Sequence, residues 1–367
     1  MENATGFHDR RMLYLQVRDY IVEQIEQGVF KSGELIPPER ELAENLKISR
    51  YTVRRALQEL VEEDILFRVQ GSGTYVREKT NGLAKRVDSI GIVMPFCDAE
   101  IEMMLLSGMQ KALRGTPYSM TLYTTDNDSA KEAEGIRRLR EEGVAGLIIM
   151  PSTDQGGGQG TVPLKREGFP FVLVDRAIEG LQTNCVVSDN VQGGNQAARH
   201  LLDLGHSQIA FVSHKGDLSS SIHDRLTGFR EAFKERGLPV GPTFTYDFET
   251  GVKDLKQFLI KRECTGLVVG NALVARDVVR ACRELGLDIP EDFSIVSFDD
   301  LSIVKMLDVS LTTITQHTEA IGAKAVSLLI DQIENCDLEP GYLTQYYYPT
   351  RLIERDSCAR LKGSKGR

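Results

Sequence analysis

The chain has 367 residues, of which 41% are hydrophobic and 26% charged, with a formal net charge of −9. That length gives two or three domains with full cores, and the composition is that of an ordinary soluble globular protein. Residues 1–80 carry 12 Lys+Arg against 14 Asp+Glu and the remainder 32 against 39, which excludes a broad basic coat and a second nucleic-acid surface in the acidic remainder.

Residues 1–10 read as a loose tail. Val17, Ile21 and Ile25 then form a helical stripe that ends at Gly28. Pro38 to Leu46 is a short helix with Pro38 in its first turn, where proline is tolerated. A tight turn at Lys47-Ile48 leads to Ser49, an N-cap for the helix Arg50 to Leu60. Val53, Ala56, Leu57 and Leu60 fall at i, i+3, i+4 and i+7, so they make one apolar face and leave Arg50, Tyr51, Arg54 and Gln58 on the other.

Two helices joined by a short turn, the second basic at its start, fit a DNA major groove. Ile65 to Val69 and Thr74 to Val76 are strand-like, with Gln70-Gly71-Ser72-Gly73 between them. A hairpin there makes a wing whose glycine tip can come close to a phosphate backbone. Helix, helix and glycine-tipped hairpin in that order point to DNA binding.

The stretch from about 11 to 77 resembles the winged-helix domain of GntR-type bacterial transcription regulators. The matching residues include Leu13 to Val17, Glu39 to Ala43, Ser49-Arg50, Thr52-Val53-Arg54, Ala56-Leu57 and Gln70 to Thr74. The resemblance implies DNA contacts from Arg40, Ser49, Arg50, Tyr51, Thr52 and Arg54, and from the wing residues Gln70, Gly71, Ser72 and Gly73. Two positions depart from the pattern. Lys47 replaces the usual turn glycine, and Arg55 replaces a usual glutamate, which adds charge and is expected to alter base preference.

Residues 78–88 are polar, contain Gly82 and read as a linker. From Ser89 onward short apolar strands alternate with amphipathic helices, the pattern of parallel sheets covered on both faces. About 270 residues of it make two lobes. Ligands bind beyond the C-terminal strand ends of such sheets and between lobes. The polar residues just after strands are Asp175-Arg176, Ser188-Asp189-Asn190, Asn271 and Asp299-Asp300, a set suited to a polyhydroxylated neutral ligand.

Residues 89–355 resemble the effector domain of the lac repressor and its LacI/GalR relatives, which is similar to periplasmic sugar-binding proteins. The resemblance rests on Ser89 to Val93 with Pro95, Val174-Asp175-Arg176, Ala197 to Leu201, Leu204-Gly205-His206, Arg225-Leu226 with Gly228-Phe229, Ile289 to Asp300, and Leu311 to Gln316. It implies an α/β fold: a winged helix-turn-helix over 1–77, then a two-lobed domain with parallel sheets over 89–356 that binds effector and dimerises. Lobe one is expected over about 89–187 plus 317–343, and lobe two over about 188–316 plus 344–356. Carried over by position, the effector contacts are Asp175, Ser221, Arg225, Phe248, Asn271, Asp299 and Gln316, with Phe248 as the stacking face.

Two features depart from these relatives. Ala272 stands where they have aspartate, and Ala99, Ile101 and Glu102 stand where they have Asn and two aromatics, so the ligand need not be the usual sugar. A GntR-type head on a LacI-type body resembles the arabinose-responsive repressors of some bacteria.

Signals for an enzyme are absent. Gly156 to Thr161 lacks the lysine of a phosphate loop and reads as a flexible loop; Ser302-Ile303-Val304-Lys305 lacks the partner motifs of its serine–lysine pattern. His206 reads as structural, and no metal or cofactor is expected. The six cysteines, at 97, 185, 264, 282, 336 and 358, form no C-x-x-C and read as reduced thiols. No basic-then-apolar start and no run of 18 apolar residues occurs, so a cytoplasmic protein without a membrane partner is expected. The expected function is a homodimeric regulator, a repressor that holds operator DNA and answers to a small carbohydrate. The alternatives are a solute-binding protein and a ligand-dependent activator.

Overall fold

The computed structural model describes residues 13–63, 65–69, 73–77, 88–153, 158–217, 219–247, 252–334 and 343–361. The chain divides into two compact units, residues 1–85 and 86–367.

The first unit has α1 (Leu13–Glu26), α2 (Glu39–Leu46), α3 (Arg50–Glu62) and the antiparallel strands β1 (Leu66–Val69) and β2 (Gly73–Val76). Its core joins Val17 and Ile21 of α1, Leu42 of α2, Leu66 and Val76 of the hairpin, and the apolar face of α3. That face is the predicted one: Val53, Ala56, Leu57 and Leu60 are at most 1% exposed. Pro38 is the N-cap residue of α2 and does not lie within its first turn, because the helix begins at Glu39. Ser49 caps α3, its Oγ accepting from the Thr52 amide at 3.1 Å. A bridge from Leu35 to Tyr75 adds a third backbone segment to the wing. A Cβ at Gly73 would come within 2.5 Å of Leu35 Cδ1, at a φ of +135° that glycine alone adopts readily.

Lys47 closes α2 in the left-handed conformation, φ 54°, with its amide bonded back to Ala43 and Glu44. A side chain there costs roughly 1–2 kcal/mol, which glycine avoids. Lys47→Gly is expected to stabilise the winged helix by about 1 kcal/mol after the extra entropy of the unfolded glycine is subtracted. Slower amide hydrogen exchange in α2 and α3 of the full-length chain is the check.

The second unit runs β3 (Asp88–Met94), α4 (Glu100–Leu113), β4 (Tyr118–Thr124), α5 (Ser129–Glu141), β5 (Gly146–Ile149), α6 (Thr161–Glu167), β6 (Phe171–Val174) and β7 (Cys185–Ser188). It continues through α7 (Asn190–Asp203), β8 (Ile209–His214), α8 (Ser220–Glu235), β9 (Thr243–Tyr246), α9 (Val252–Ile260), β10 (Gly266–Val269), α10 (Ala272–Leu285) and β11 (Ser294–Phe298). It ends with α11 (Ser302–Lys305), β12 (Thr312–Thr315), α12 (Thr318–Glu334), β13 (Gln345–Tyr348) and β14 (Arg351–Ile353).

Two six-stranded sheets result, β13-β7-β6-β5-β3-β4 and β14-β12-β11-β10-β8-β9. All ladders are parallel except the edge pair β12–β14. Every residue of β5, β6, β10 and β11 is buried, which explains their apolar sequence, broken only by Ser294 and Ser297 of β11.

The chain crosses between the sheets after β7, after β12 and after β13. The third crossing corrects the expected boundary near 343/344. Gln345–Tyr348 pairs in parallel with Cys185–Ser188 and so extends the first sheet, and the chain changes lobe only at residues 349–350. Residues 158–160 turn into α6, with the Gly158 amide donating to Glu132 at 3.4 Å; Gly156 and Gly157 lie outside the described residues.

Helices α7 and α8 meet through glycines. A Cβ at Gly194 would lie 1.9 Å from the Arg225 carbonyl oxygen, and one at Gly228 would lie 1.8 Å from that of Val191. This contact sets where α8 can carry Arg225. Gly194→Ala is expected to destabilise the unit by at least about 1–3 kcal/mol, the usual cost of overpacking. A thermal melt checks it, and a loss of ligand affinity larger than the loss of stability requires would show that Arg225 has moved.

Candidate functional site

The winged helix presents a cationic face. Arg50 and Tyr51 open α3 and are exposed, Tyr51 to 74%. Arg50 makes no ion pair among the described residues, and it stands at a helix start, where the backbone dipole adds positive potential. Arg40 Nε lies 2.9 Å from Glu44 Oε1, and Arg54 Nε lies 3.0 Å from Glu39 Oε2. The other oxygen of Glu39 is 3.7 Å from Arg68 on β1, so one carboxylate ties helix and wing. Such exposed pairs are worth roughly 0.2–1 kcal/mol each and give way easily to a phosphate. Thr52 is held by a 2.8 Å hydroxyl contact with Ser49. Gln70, Gly71 and Ser72 lie outside the described residues. Arg55 places its guanidinium over the Tyr14 ring at 3.9 Å. This contact ties the first half of α3 to α1.

In the second unit the predicted effector residues gather at the C-terminal strand ends. Asp175 follows β6; Asn271, Asp299 and Gln316 follow β10, β11 and β12; Ser221 and Arg225 lie on α8. Arg225 is 4% exposed. Its Nε donates to Asn190 Oδ1 at 2.8 Å and its Nη1 to the Gly270 carbonyl at 2.7 Å, while Nη2 stands 3.8 Å from Asp299 Oδ1. The guanidinium also covers the Phe298 ring at 4.2 Å. Gln316 Nε2 donates to Asp299 Oδ1 at 2.6 Å and its Oε1 accepts from Ser188 Oγ at 2.5 Å. Asn271 caps α10 through the Val274 amide and donates weakly to Asp217 at 3.5 Å. Ser221 Oγ donates to Ser219 Oγ at 3.1 Å. Phe248 lies outside the described residues.

Burial pushes the Asp299 carboxyl above the usual carboxylate range, against the pull of Arg225 and Gln316. Asp175 and Asp299 both adopt positive φ, 64° and 70°, each directly after a strand of its own lobe. Backbone strain of that kind costs of order 1–3 kcal/mol and gathers at ligand clamps.

Some contacts were not legible in the sequence. Glu100 of lobe one accepts from the Ser302 amide and hydroxyl of lobe two at 2.8 and 3.0 Å, and Ser220 Oγ of lobe two accepts from the Ala177 amide of lobe one at 2.9 Å. These bonds pair residues as far as 202 positions apart and hold the lobes against each other. Ser302 is thereby a cross-lobe contact, and Lys305 pairs with Asp300 at 3.3 Å, so the serine–lysine spacing serves structure. His206 is also structural, bonding Thr265 and the Ala359 carbonyl. Glu102 is 5% exposed and shares the buried stripe of α4 with Leu105 and Met109. A charged residue at the head of an i, i+3, i+7 apolar pattern is the signal that marks it. Among the described residues no helix is long and apolar enough to cross a membrane.

Comparison with known proteins fits both units. Residues 13–76 match the family model for bacterial regulatory proteins of the gntR family, and residues 198–358 match that for a periplasmic-binding-protein-like domain. The chain is 32% identical over 360 residues to the arabinose metabolism transcriptional repressor of Geobacillus stearothermophilus, covering 95% of this chain and 98% of that one. It is 29% identical to the protein of the same name from Halalkalibacterium halodurans, covering 96% and 98%. Among solved structures, a LacI family transcriptional regulator from Enterococcus faecium with bound ribose superposes with a TM-score of 0.64 at 27% identity, over 75% of this chain and all of that one. The transcription regulator CcpA of Lactococcus lactis gives 0.65 at 25% identity, over 74% and 100%. The chain belongs to the family of bacterial transcription regulators in which a gntR-type winged helix precedes a LacI-type, periplasmic-binding-protein-like domain.

Proposed function

We propose that this regulator is a cytoplasmic, homodimeric repressor that binds operator DNA and lets go when a pentose-like sugar occupies the cleft between its lobes. The observation that carries the sugar half is the buried Arg225–Asp299–Gln316 network at the strand ends, with Asn190 behind it. It offers fixed donors and acceptors on one wall and no basic excess, which suits hydroxyls better than an anion. Asp175 and Asn271 complete the polar lining, and Ser221 supports it through Ser219. Arg40, Ser49, Arg50, Tyr51, Thr52, Arg54 and the wing from Gln70 to Gly73 hold the duplex.

The names of the relatives support repression and a sugar effector, since two are arabinose metabolism repressors and a structural neighbour holds ribose. A solute-binding protein would have no use for the exposed arginines of α3. The relatives are named as transcriptional repressors, which supports a sensor rather than an enzyme. Sugar binding selects the closed pair of lobes, and closure alters how the dimer sets its two heads on the half-sites.

Gel shifts of genomic fragments, with and without L-arabinose and D-ribose, test the reading. Specific retardation relieved by one of the sugars is expected. Retardation that no sugar of the panel relieves would sink the sugar effector, and the absence of any specific complex would sink the regulator.

A further inference from the structure

One carboxylate of lobe one bonds lobe two twice. Glu100 is the first residue of α4. Its Oε2 accepts from the Ser302 amide at 2.8 Å and its Oε1 from the Ser302 hydroxyl at 3.0 Å. Ser302 opens α11, and the N-cap residue of that helix, Leu301, makes no side-chain cap. The first amide of α11 is therefore satisfied from the other lobe. Among the described residues Glu100 makes no side-chain bond within its own lobe, so the pair serves the fold of neither lobe by itself.

The backbones at both ends of this contact are rigid. α11 is fixed to lobe two: Val304 is buried, and Lys305 pairs with Asp300, which stands 2.7 Å from Arg355. α4 is fixed to α12 of lobe one. A Cβ at Gly108 would lie 1.9 Å from the Glu319 carbonyl oxygen, and Lys111 and Ser107 both donate to the Glu319 carboxylate. Neither helix can follow the other when the lobes part. Opening must then break both bonds to the charged acceptor together, and such bonds are stronger than neutral ones.

We propose that Glu100 and Ser302 form a closure latch that holds the two lobes together and so sets how much sugar is needed to release the operator. This rests on the lobe-closure reading given above. The latch touches no ligand and does not choose between sugars. It acts on the closed form alone, so it shifts closing by one factor whatever sugar lies in the cleft.

The test uses full-length wild type, Glu100→Ala, Ser302→Ala and the double variant, with a thermal melt of each as a check on folding. Isothermal titration with L-arabinose and D-ribose reads affinity. Hydrogen exchange of the sugar-saturated protein reads the start of α11. Gel shifts on the genomic fragment that wild type retards read the sugar concentration for half release. Glu100→Ala is expected to speed exchange at the start of α11 and to weaken both sugars about ten-fold, by the same factor. Half release should need about ten-fold more sugar, with operator affinity in its absence no lower than wild type. Ser302→Ala removes one of the two bonds and should lose less, and the double variant should be no worse than Glu100→Ala, since the two residues share the interaction.

A folded Glu100→Ala with wild-type exchange and affinities would overturn the latch and leave the sugar reading standing. So would a loss confined to one sugar, since Glu100 would then touch the ligand, or losses that add in the double variant. Weaker operator binding without sugar would overturn it too, because the carboxylate would then support the DNA-bound form. Wild type binding neither sugar would remove both readings.

Discussion

Arg50→Ala is expected to weaken operator binding by roughly 1–3 kcal/mol per half-site, or about 10- to 100-fold, with both half-sites of a dimer affected. The size of the effect follows from the state of this side chain. Arg40 and Arg54 are engaged by Glu44 and Glu39, whereas Arg50 makes no ion pair among the described residues. A duplex therefore meets Arg50 without first displacing a carboxylate. Position adds to this, because Arg50 is the first residue of α3, directly after the Ser49 cap. The helix start carries both the side-chain charge and unpaired backbone amides.

Fluorescence anisotropy on an operator duplex, at several salt concentrations, separates two roles. If Arg50 meets a phosphate, the salt slope falls by about one unit and all sequences suffer alike; if it reads a guanine edge, the slope hardly moves and one base position relaxes. The fold should be untouched, since an exposed arginine contributes nothing to the core. Arg54→Ala is expected to lose less, because it also frees Glu39 to face Arg68. An Arg50→Ala protein with full operator affinity would remove α3 from the interface.

Much of this arrangement could be read before the coordinates, and the reasons differ by region. The α3 face was legible because its period is strict and its core is local. The strands buried on both faces were legible because they are almost wholly apolar, with only Ser294 and Ser297 of β11 polar. The edge strand β13 was not. Gln345–Tyr348 is half-exposed and polar, and only its pairing partner Cys185–Ser188, more than 150 residues earlier, makes it a strand of the first lobe. Nothing local decides that. Position after strands identifies Asp175, Asn271 and Asp299, and the family resemblance adds Gln316, but neither says what each one touches. Ser188, Asn190 and Phe298 prove to be the partners that fix Gln316 and Arg225. The Glu100–Ser302 bond was invisible for another reason: a half-buried and an exposed polar residue carry no pattern, and only the lobe arrangement brings them together.

Arg225→Ala should abolish the sugar response, lowering affinity by more than about 100-fold, because truncating one partner of a buried charged network loses its ligand contacts and leaves the other partner unpaired. It should also destabilise the second unit by about 3–5 kcal/mol, the usual effect of removing one member of a buried ion pair. The stranded member is Asp299, which is 4% exposed and keeps only the Gln316 donor and the Ala272 amide. These two losses can be separated. Arg225→Met combined with Asp299→Asn removes both charges, and Asn tolerates the positive φ at 299. The pair should recover most of the stability and remain blind to sugar.

The pH dependence has a definite sign. The folded-state carboxyl of Asp299 lies above its unfolded value, so its contribution is fully present below the unfolded value and is lost as pH rises through the folded one. Removing the Arg225 charge, which pulls that value down, widens the window further. The melting-temperature gap between wild type and Arg225→Ala should therefore shrink as pH falls from 7 toward 5 and widen as it returns. Operator affinity without sugar should stay within a few-fold of wild type. A variant that still released DNA at the wild-type sugar concentration would mean that the buried Arg225–Asp299 pair is structural and that the effector is held elsewhere.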